Sequence, residues 1–397
     1  MFFNFTRSSI AAIVLFGGML SMTGCKEAAP QSFTIAGTLQ EVPDSINVSL
    51  IDMTKGQHGE VICDTIITDN AFTLTGVAEK PVMAKLSFKK MNRRSYPAVT
   101  VDFVLENGEY TVNSDVSFDS ISNSYQPEEI VNIKGGKLQD QYLEYFNTLK
   151  DVELASRKAD YLHARKWFDT NDNPDSMAVY DVLVAEAKAK YMAADMDFIK
   201  AHPDYYISAF KVWQKLAEIY TRTPEEIDEM VAMVQTCPDT AIVNSINRRR
   251  DRSVNHALGI QFKDFAMTTI DGDTVSFAPI ASNGKPTFVD FWASWCGPCR
   301  SAIPHVKETA KKYGDRLDII SVSCDQDGEA WRGAMKEEKM SWPQYHLDGE
   351  KQLEDAAQTY MLSSIPRLLI FDKDGVLVCS TNLPKEADKA LQQIFGE

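Results

Sequence analysis

The chain has 397 residues, of which 44% are hydrophobic and 24% are charged, and its formal net charge is −15 at pH 7. This length predicts more than one domain, because single cores stop growing well below it. The composition is that of an ordinary globular protein, which excludes a disordered or multi-span chain. The negative charge argues against a nucleic-acid partner, since phosphates are repelled.

Residues 1–24 are predicted to be an export signal. Arg7 supplies the positive start, and residues 10–20 form an apolar run that is too short for a membrane span. The following Met-Thr-Gly-Cys, ending at Cys25, resembles the lipobox of bacterial lipoproteins, although leucine is more usual than Met22. The resemblance implies lipidation of Cys25 and a periplasm-facing protein tethered to a bacterial membrane, inner or outer. Plain secretion with an idle Cys25 is the alternative.

Residues 25–136 are predicted to form a β-rich domain. Apolar and polar residues alternate in FTIAGTL, in INVSLID and again over 99–103, and turn signals at 106–108 and 135–136 interrupt the runs. This spacing indicates an antiparallel sandwich or open barrel. FTIAGTL, INVSLID and DTIITDNAFTLTG resemble an all-β domain of unknown function, which brings no catalytic residue with it.

Residues 137–256 change to a helical period and are predicted to be a helical spacer. Apolar residues from Tyr180 to Phe198 form one stripe, and those from Phe210 to Tyr220 form a second. Thr223 to Glu226 is a capping box that opens a third helix. Such aromatic stripes are more often core than ligand site. The arginines at 248–252 are interpreted as a solvated helix end or linker rather than an anionic docking patch.

Residues 257–397 alternate strand and helix, which predicts a mixed sheet covered on both faces. The predicted elements are a hairpin turning at Asp271-Gly272, a buried strand at 287–292, a helix at 298–313, a strand at 317–323, helices at 329–338 and 352–360, a hairpin turning at 372–375, and a closing helix through Ala387 and Leu391.

The string VDFWASWCGPCR carries the chemistry. Cys296 and Cys299 form a Cys-x-x-Cys pair that follows the buried strand and opens a helix. This position lets the two sulfurs bond, and it places the first sulfur at the unpaired N–H groups and positive dipole end of the helix. Both effects favour thiolate, the form that attacks disulfides. Pro298 lies where its missing N–H costs little.

The string is similar to thioredoxin over residues 287–304, and the segment from about 260 resembles the TlpA/ResA-type tethered periplasmic thioredoxins. The resemblance implies a multidomain protein with an N-terminal all-β sandwich-like domain, a helical middle and a C-terminal α/β thioredoxin fold. It identifies Cys296 as the attacking cysteine and Cys299 as the resolving cysteine. Residues at the substrate-binding surface would include Trp295, Gly297 and Pro298, and no cofactor is needed beyond the redox-active disulfide.

Ile365-Pro366 is a second signature, placed before an apolar strand. In the thioredoxin fold this proline is cis and faces the disulfide, and a cis X-Pro bond is uncommon. The backbone of Ile365 would then be open to pair with an incoming peptide as an added strand. Ile365 and Pro366 are therefore expected to bind substrate.

Asp290 interrupts the apolar run of the central strand. Burial of a carboxylate should raise its pKa, which suits proton transfer near neutral pH. Asp290 aligns with the buried aspartate of thioredoxin that helps deprotonate the resolving cysteine. The alternative is a buried polar group kept only for structure.

These residues predict a membrane-anchored protein-disulfide reductase that acts through a dithiol–disulfide cycle. The Gly-Pro dipeptide between the cysteines and Ile365 before Pro366 favour a reductant. The resemblance implies disulfide-containing periplasmic substrate proteins, a membrane thiol-electron donor, and a role in cytochrome c maturation or in general thiol reduction. An adaptor that binds a partner through its β and helical regions is the alternative.

The sequence supports two further interpretations of the Cys-x-x-Cys pair less well. A zinc site would need two more ligands, and only His305 is close in sequence. A peroxidase would need Pro and Thr where Val289 and Ala293 stand. Four cysteines remain, namely Cys63, Cys237, Cys324 and Cys379. Cys324 and Cys379 are expected to be small buried hydrophobes, and a structural disulfide whose pairing is open is the alternative.

Overall fold

The computed structural model describes residues 31–397 except 44, 56–58, 91–97, 125, 171–173 and 218–221. The predicted signal segment and Cys25 lie outside the described residues. Within the described part of the chain, no helix combines the length and apolar character that crossing a membrane requires.

The N-terminal region folds as two four-stranded sheets, in the orders β4-β1-β7-β8 and β3-β2-β5-β6. Inward-facing residues of both sheets form one core, as period-two alternation requires. A short helix, α1 (Phe118–Ser122), follows the seventh strand. The strands are β1 (Phe33–Gln40), β2 (Ile46–Asp52), β3 (Glu60–Ile66), β4 (Ala71–Gly76), β5 (Val82–Lys90), β6 (Val99–Leu105), β7 (Gly108–Ser117) and β8 (Asn132–Lys134).

The prediction of an antiparallel sandwich or open barrel was wrong for one pair of strands. β1 and β7 run parallel, with Phe33 opposite Gly108 and Val112 opposite Gly37. Of the strands between β1 and β7, β4 pairs with the other edge of β1, and β2, β3, β5 and β6 build the second sheet. Alternation of apolar residues predicts strands and faces but contains no information about the direction of a partner strand.

The middle region is helical, and its two longest helices pack on each other. The predicted capping box is present at Thr223 and Glu226. The helical core extends to Met83 of β5 and Val104 of β6, so this region packs against the second sheet. Tyr220, placed in the second predicted stripe, lies outside the described residues. The helices are α2 (Lys137–Thr170), α3 (Pro174–Ala201), α4 (Tyr206–Lys215), α5 (Pro224–Ala232) and α6 (Thr240–Val254).

The C-terminal region is a seven-stranded mixed sheet in the order β10-β9-β13-β12-β11-β14-β15. Apolar clusters cover both of its faces, which confirms the predicted fold class. The sequence pattern missed the short α7 and β13. The elements are β9 (Ala266–Thr268), β10 (Thr274–Ser276), α7 (Ala278–Ala281), β11 (Thr287–Trp292), α8 (Gly297–Tyr313), β12 (Asp318–Ser323), α9 (Gly328–Glu337), β13 (Gln344–His346), α10 (Gly349–Tyr360), β14 (Arg367–Phe371), β15 (Leu377–Thr381) and α11 (Pro384–Phe395).

Candidate active site

The two predicted redox cysteines are joined in a disulfide at the start of α8, with their Cα atoms 5.3 Å apart. Cys296 is the N-cap residue, and its Sγ accepts the backbone N–H of Cys299 at 3.2 Å. Reduction of the bond would leave a thiolate on Cys296 facing this N–H and the positive end of the helix dipole. Both interactions stabilise the negative sulfur, so the helix start favours the reactive form.

The residues around the disulfide differ sharply in exposure. Cys296 and Cys299 are 5% and 2% exposed, whereas Trp295 is 70% exposed. Gly297 and Pro298 are also exposed and form the first turn of α8. A substrate must therefore reach the sulfur of Cys296 across a surface formed by Trp295 and the Gly-Pro dipeptide.

The loop that precedes β14 lies directly beside the disulfide. The Ile365–Pro366 peptide bond is cis. The carbonyl oxygen of Ile365 is 3.8 Å from Sγ of Cys296, and both loop residues are half-buried. The fold thus brings together two sequence signatures that are 66 residues or more apart along the chain.

A groove of about 900 Å³ runs between Trp295 and this loop. The apolar part of its lining comes largely from α9, α10 and the residues after α10, at Ala330, Leu353 and Leu362. Sequence reasoning missed these groove residues, because Ala330 and Leu353 lie on ordinary amphipathic helix faces, Leu362 follows such a helix, and their role depends on how the helices pack. Apolar side chains on either side of a substrate disulfide fit such a lining.

Asp290 lies in the middle of β11 and is 3% exposed. Phe288 and Trp292, two residues away on either side, pack in the same cluster as Cys299, so strand alternation places Asp290 on the face that carries the disulfide. Burial raises the pKa of Asp290 from its ordinary 3.8 to about 7, opposed only by a hydrogen bond from Ser321. A carboxyl group of this kind can exchange a proton near neutral pH.

Asp325 anchors the segment that leads into the cysteines, and sequence reasoning missed this residue. Its carboxylate accepts the Ser294 backbone N–H at 2.9 Å and the Ser294 hydroxyl at 2.6 Å. It also accepts the hydroxyl of Ser323 at 2.7 Å. These bonds fix Ser294 two residues before Cys296 and hold the sulfur in place. An aspartate just after a predicted strand is too common a pattern to have indicated this role.

The other cysteines are unsuited to nucleophilic chemistry. Burial raises the pKa of Cys324 to about 12 and that of Cys379 to about 11, and it also raises the pKa values of Cys63 and Cys237. All four are unbonded thiols. In the described residues, no group of three or more His, Cys, Asp or Glu side chains could hold a metal ion.

A disulfide at a helix start, a cis-proline loop against it and a mixed sheet beneath define a thiol–disulfide oxidoreductase of thioredoxin fold. Residues 283–377 match a family described as thioredoxin-like, and residues 33–142 match a domain of unknown function, DUF4369. The chain is 37% identical over 116 residues to a thioredoxin of Mycolicibacterium smegmatis, covering 29% of this chain and 80% of that protein. It therefore belongs to the thioredoxin family.

The chain is also similar to a further curated protein and to solved structures. The thiol-disulfide oxidoreductase ResA of Bacillus cereus is 27% identical over 122 residues, covering 30% of this chain and 67% of that protein. The thioredoxin domain of a Bacteroides vulgatus thiol-disulfide oxidoreductase has 24% identity and a TM-score of 0.32, covering 35% of this chain and 98% of that one. A thiol:disulfide interchange protein from Bacteroides sp. has 23% identity and a TM-score of 0.33, covering 36% and 93%. The protein is an enzyme that exchanges thiols and disulfides.

Proposed function

We propose that the protein reduces disulfides in other proteins on the periplasmic side of a bacterial membrane, to which lipidated Cys25 tethers it. The observation that carries the proposal is the position of the Cys296 sulfur. It lies at a helix start, where thiolate is favoured, beside the carbonyl of Ile365 and next to an apolar groove. This arrangement supplies a nucleophile together with a surface on which a polypeptide can be held.

The first step is attack by Cys296. A substrate segment pairs with the backbone of Ile365 as an added strand, and its apolar side chains enter the groove. The Cys296 thiolate then attacks one substrate sulfur, forming a mixed disulfide and expelling the other substrate sulfur as a thiolate. Trp295, Gly297 and Pro298 border the attacked bond, and Pro366 shapes the loop that presents Ile365.

The second step is resolution by Cys299. Its thiol loses a proton to the Asp290 carboxylate and becomes a thiolate. Cys299 then attacks the Cys296 sulfur, so that the Cys296–Cys299 disulfide forms and the second substrate sulfur leaves as a thiolate. Two electrons pass from the enzyme dithiol to the substrate, and a membrane thiol-electron donor restores the dithiol for the next cycle.

The reduction potential of the Cys296–Cys299 couple tests the direction. We expect a value near that of thioredoxin, about −270 mV, and a value near about −120 mV would instead make the protein an oxidant. Turnover should vanish in Cys296→Ser, measured as reduction of insulin by the full chain. Cys379→Ser is the matched control, because it removes a buried thiol of the same domain. Substantial insulin reduction by Cys296→Ser would refute the mechanism.

Fractionation tests the tether independently of the chemistry. The full chain expressed in a bacterium should incorporate labelled palmitate and sediment with membranes. Cys25→Ser should lose both properties while the purified protein still reduces insulin. Recovery of unlabelled wild-type protein in the soluble periplasmic fraction would contradict the tether and leave the reductase assignment intact.

A further inference from the structure

Two hydrogen bonds connect Asp290 to a neighbouring strand and the loop beyond it. The hydroxyl of Ser321, in β12, donates to Oδ2 of Asp290 at 2.9 Å. The indole Nε1–H of Trp342 donates to the same Ser321 oxygen at 2.9 Å. Ser321 is fully buried and Trp342 is 9% exposed, so water does not compete strongly for these bonds.

The chemistry of the donors fixes the direction of both hydrogen bonds. An indole N–H can only donate, so Ser321 Oγ accepts from Trp342 and its own single proton is directed at Asp290. Among the described residues, this is the one hydrogen bond that reaches the Asp290 side chain. A bond donated to a carboxylate stabilises the ionised form, and a second donor behind the hydroxyl strengthens it.

We propose that Ser321, oriented by Trp342, is a positioning residue that keeps the Asp290 carboxylate ionised enough to take the proton of Cys299 near neutral pH. The inference rests on the proposed function, in which Asp290 is the base of the second step. Burial alone would leave Asp290 protonated, and a protonated carboxyl group cannot accept the thiol proton. The hydrogen bond from Ser321, supported by Trp342, offsets part of the free-energy cost of burying the ionised carboxylate.

The strand register of the sheet brings Ser321 and Trp342 close to Asp290. Asp290 and Ser321 are direct partners in the parallel pairing of β11 with β12. The Ser321 backbone N–H donates to the carbonyl of Pro343 at 3.1 Å, which brings the preceding Trp342 against the serine. Three residues far apart in sequence therefore meet because of strand order rather than a local motif.

The other titratable or charged groups on the elements around Asp290 do not supply the same effect. Cys324 follows β12, and burial raises its pKa to about 12, so its thiol stays neutral near pH 7. Arg367 of β14 lies opposite Phe291 rather than Asp290. Cys299 of α8 is the proton donor itself. On the β14 side, Asp290 faces Leu368, which is apolar.

A two-phase reaction with dithiobis(nitrobenzoate) isolates the second step in the full-length reduced protein. Attack by Cys296 releases one coloured thiolate, and resolution by Cys299 releases a second. The slower phase is followed between about pH 5 and pH 9, with Cys296→Ser giving the background from the other thiols. In the wild type, its rate should rise with pH as Asp290 loses its proton.

We expect Ser321→Ala to move the midpoint of this profile upward by about one pH unit, and to slow the second phase about fivefold at pH 7, because the ionised fraction falls. Trp342→Phe keeps the ring and should move the midpoint upward by less, about a third of a unit. Ser380→Ala, at a buried serine of β15 in the same sheet, should move nothing. The first phase should change little in all three.

Asp290→Asn separates the possible outcomes. In that background, Ser321→Ala should have no effect on the pH profile. An unmoved midpoint in Ser321→Ala and Trp342→Phe, or a shift that persists in Asp290→Asn, overturns the inference but leaves the reductase intact. If Ser321→Ala does not fold, Trp342→Phe alone decides. A wild-type profile in Asp290→Asn itself refutes Asp290 as the base, and loss of the second phase in wild type refutes the proposed function.

Discussion

Asp195 of the helical region and Asp290 of the thioredoxin-fold region are both buried, but they have opposite kinds of partner. Asp195 of α3 is 1% exposed and lies 2.6 Å from the ammonium group of Lys215, with the Tyr145 hydroxyl donating to it at 2.9 Å. Asp290 of β11 is 3% exposed, and no salt bridge among the described residues reaches it. The Asp195 carboxylate is paired with a cation, whereas the Asp290 carboxylate accepts a hydrogen bond from a single hydroxyl group.

This contrast indicates which of the two carboxylates can take part in proton transfer. The Asp195 carboxylate, bound by the Lys215 ammonium group and the Tyr145 hydroxyl, connects α3 to α4 and α2. A carboxylate that is buried without a cation is destabilised in its charged form and can exchange protons. Burial of an acidic residue therefore does not indicate a catalytic group unless the neighbouring charges are known.

Removal of the cation in the helical region is expected to have the largest effect. Lys215→Met should destabilise the protein by about 3–5 kcal/mol, because it leaves the Asp195 carboxylate buried without a countercharge. The measurement is urea unfolding at pH 7 followed by far-ultraviolet circular dichroism, which reports on the long helices. The second phase of the thiol reaction should keep its pH midpoint.

Lys188→Met is the matched control for this variant. Lys188 pairs with Asp160 on the same helical hairpin, but both side chains are about half exposed. Exposed pairs contribute about 1 kcal/mol or less. Equal losses of stability for Lys215→Met and Lys188→Met would mean that the buried pair has no special structural role.

The same comparison predicts that removal of the carboxylate at Asp290 stabilises the folded protein. Its pKa is about 7 in the folded protein and 3.8 ordinarily, so the folded state holds the proton to higher pH. The contribution of Asp290 to stability is complete below about pH 4 and is lost as pH rises through 7. Asp290→Asn removes this loss and should be more stable than wild type by up to about 4 kcal/mol at pH 8.

Unfolding followed by tryptophan fluorescence at several pH values measures this effect. The advantage of Asp290→Asn should shrink as the pH falls towards 4, where the wild-type carboxyl group is protonated in both states. Asp271→Asn, in the exposed turn between β9 and β10, should show no such dependence. A variant that is less stable than wild type at pH 8 would mean that Asp290 is ionised and well stabilised when folded.

What the sequence predicted follows from interactions that are local or strongly patterned. Cys296 and Cys299 lie within one helical turn, and Asp290 is visible as a charge within an apolar strand. Ser321, Trp342 and Asp325 were missed, because they acquire their partners only through strand register and the packing of loops. The parallel pairing of β1 with β7 was missed for the same reason, since alternation is identical in both directions.

The smallest effect concerns a polar contact that the sequence did predict. The Thr223 side chain accepts the Glu226 backbone N–H at 3.3 Å, and the Glu226 carboxylate accepts the Thr223 N–H at 2.8 Å. Thr223→Ala should cost about 1 kcal/mol in urea unfolding, because an N–H at the start of α5 loses its acceptor, while Thr223→Ser keeps the hydroxyl and should cost little. Both variants should react with dithiobis(nitrobenzoate) as wild type does. A slower thiol reaction in Thr223→Ala alone would show that the helical region acts on the active site, and the division between a structural and a chemical region would then be wrong.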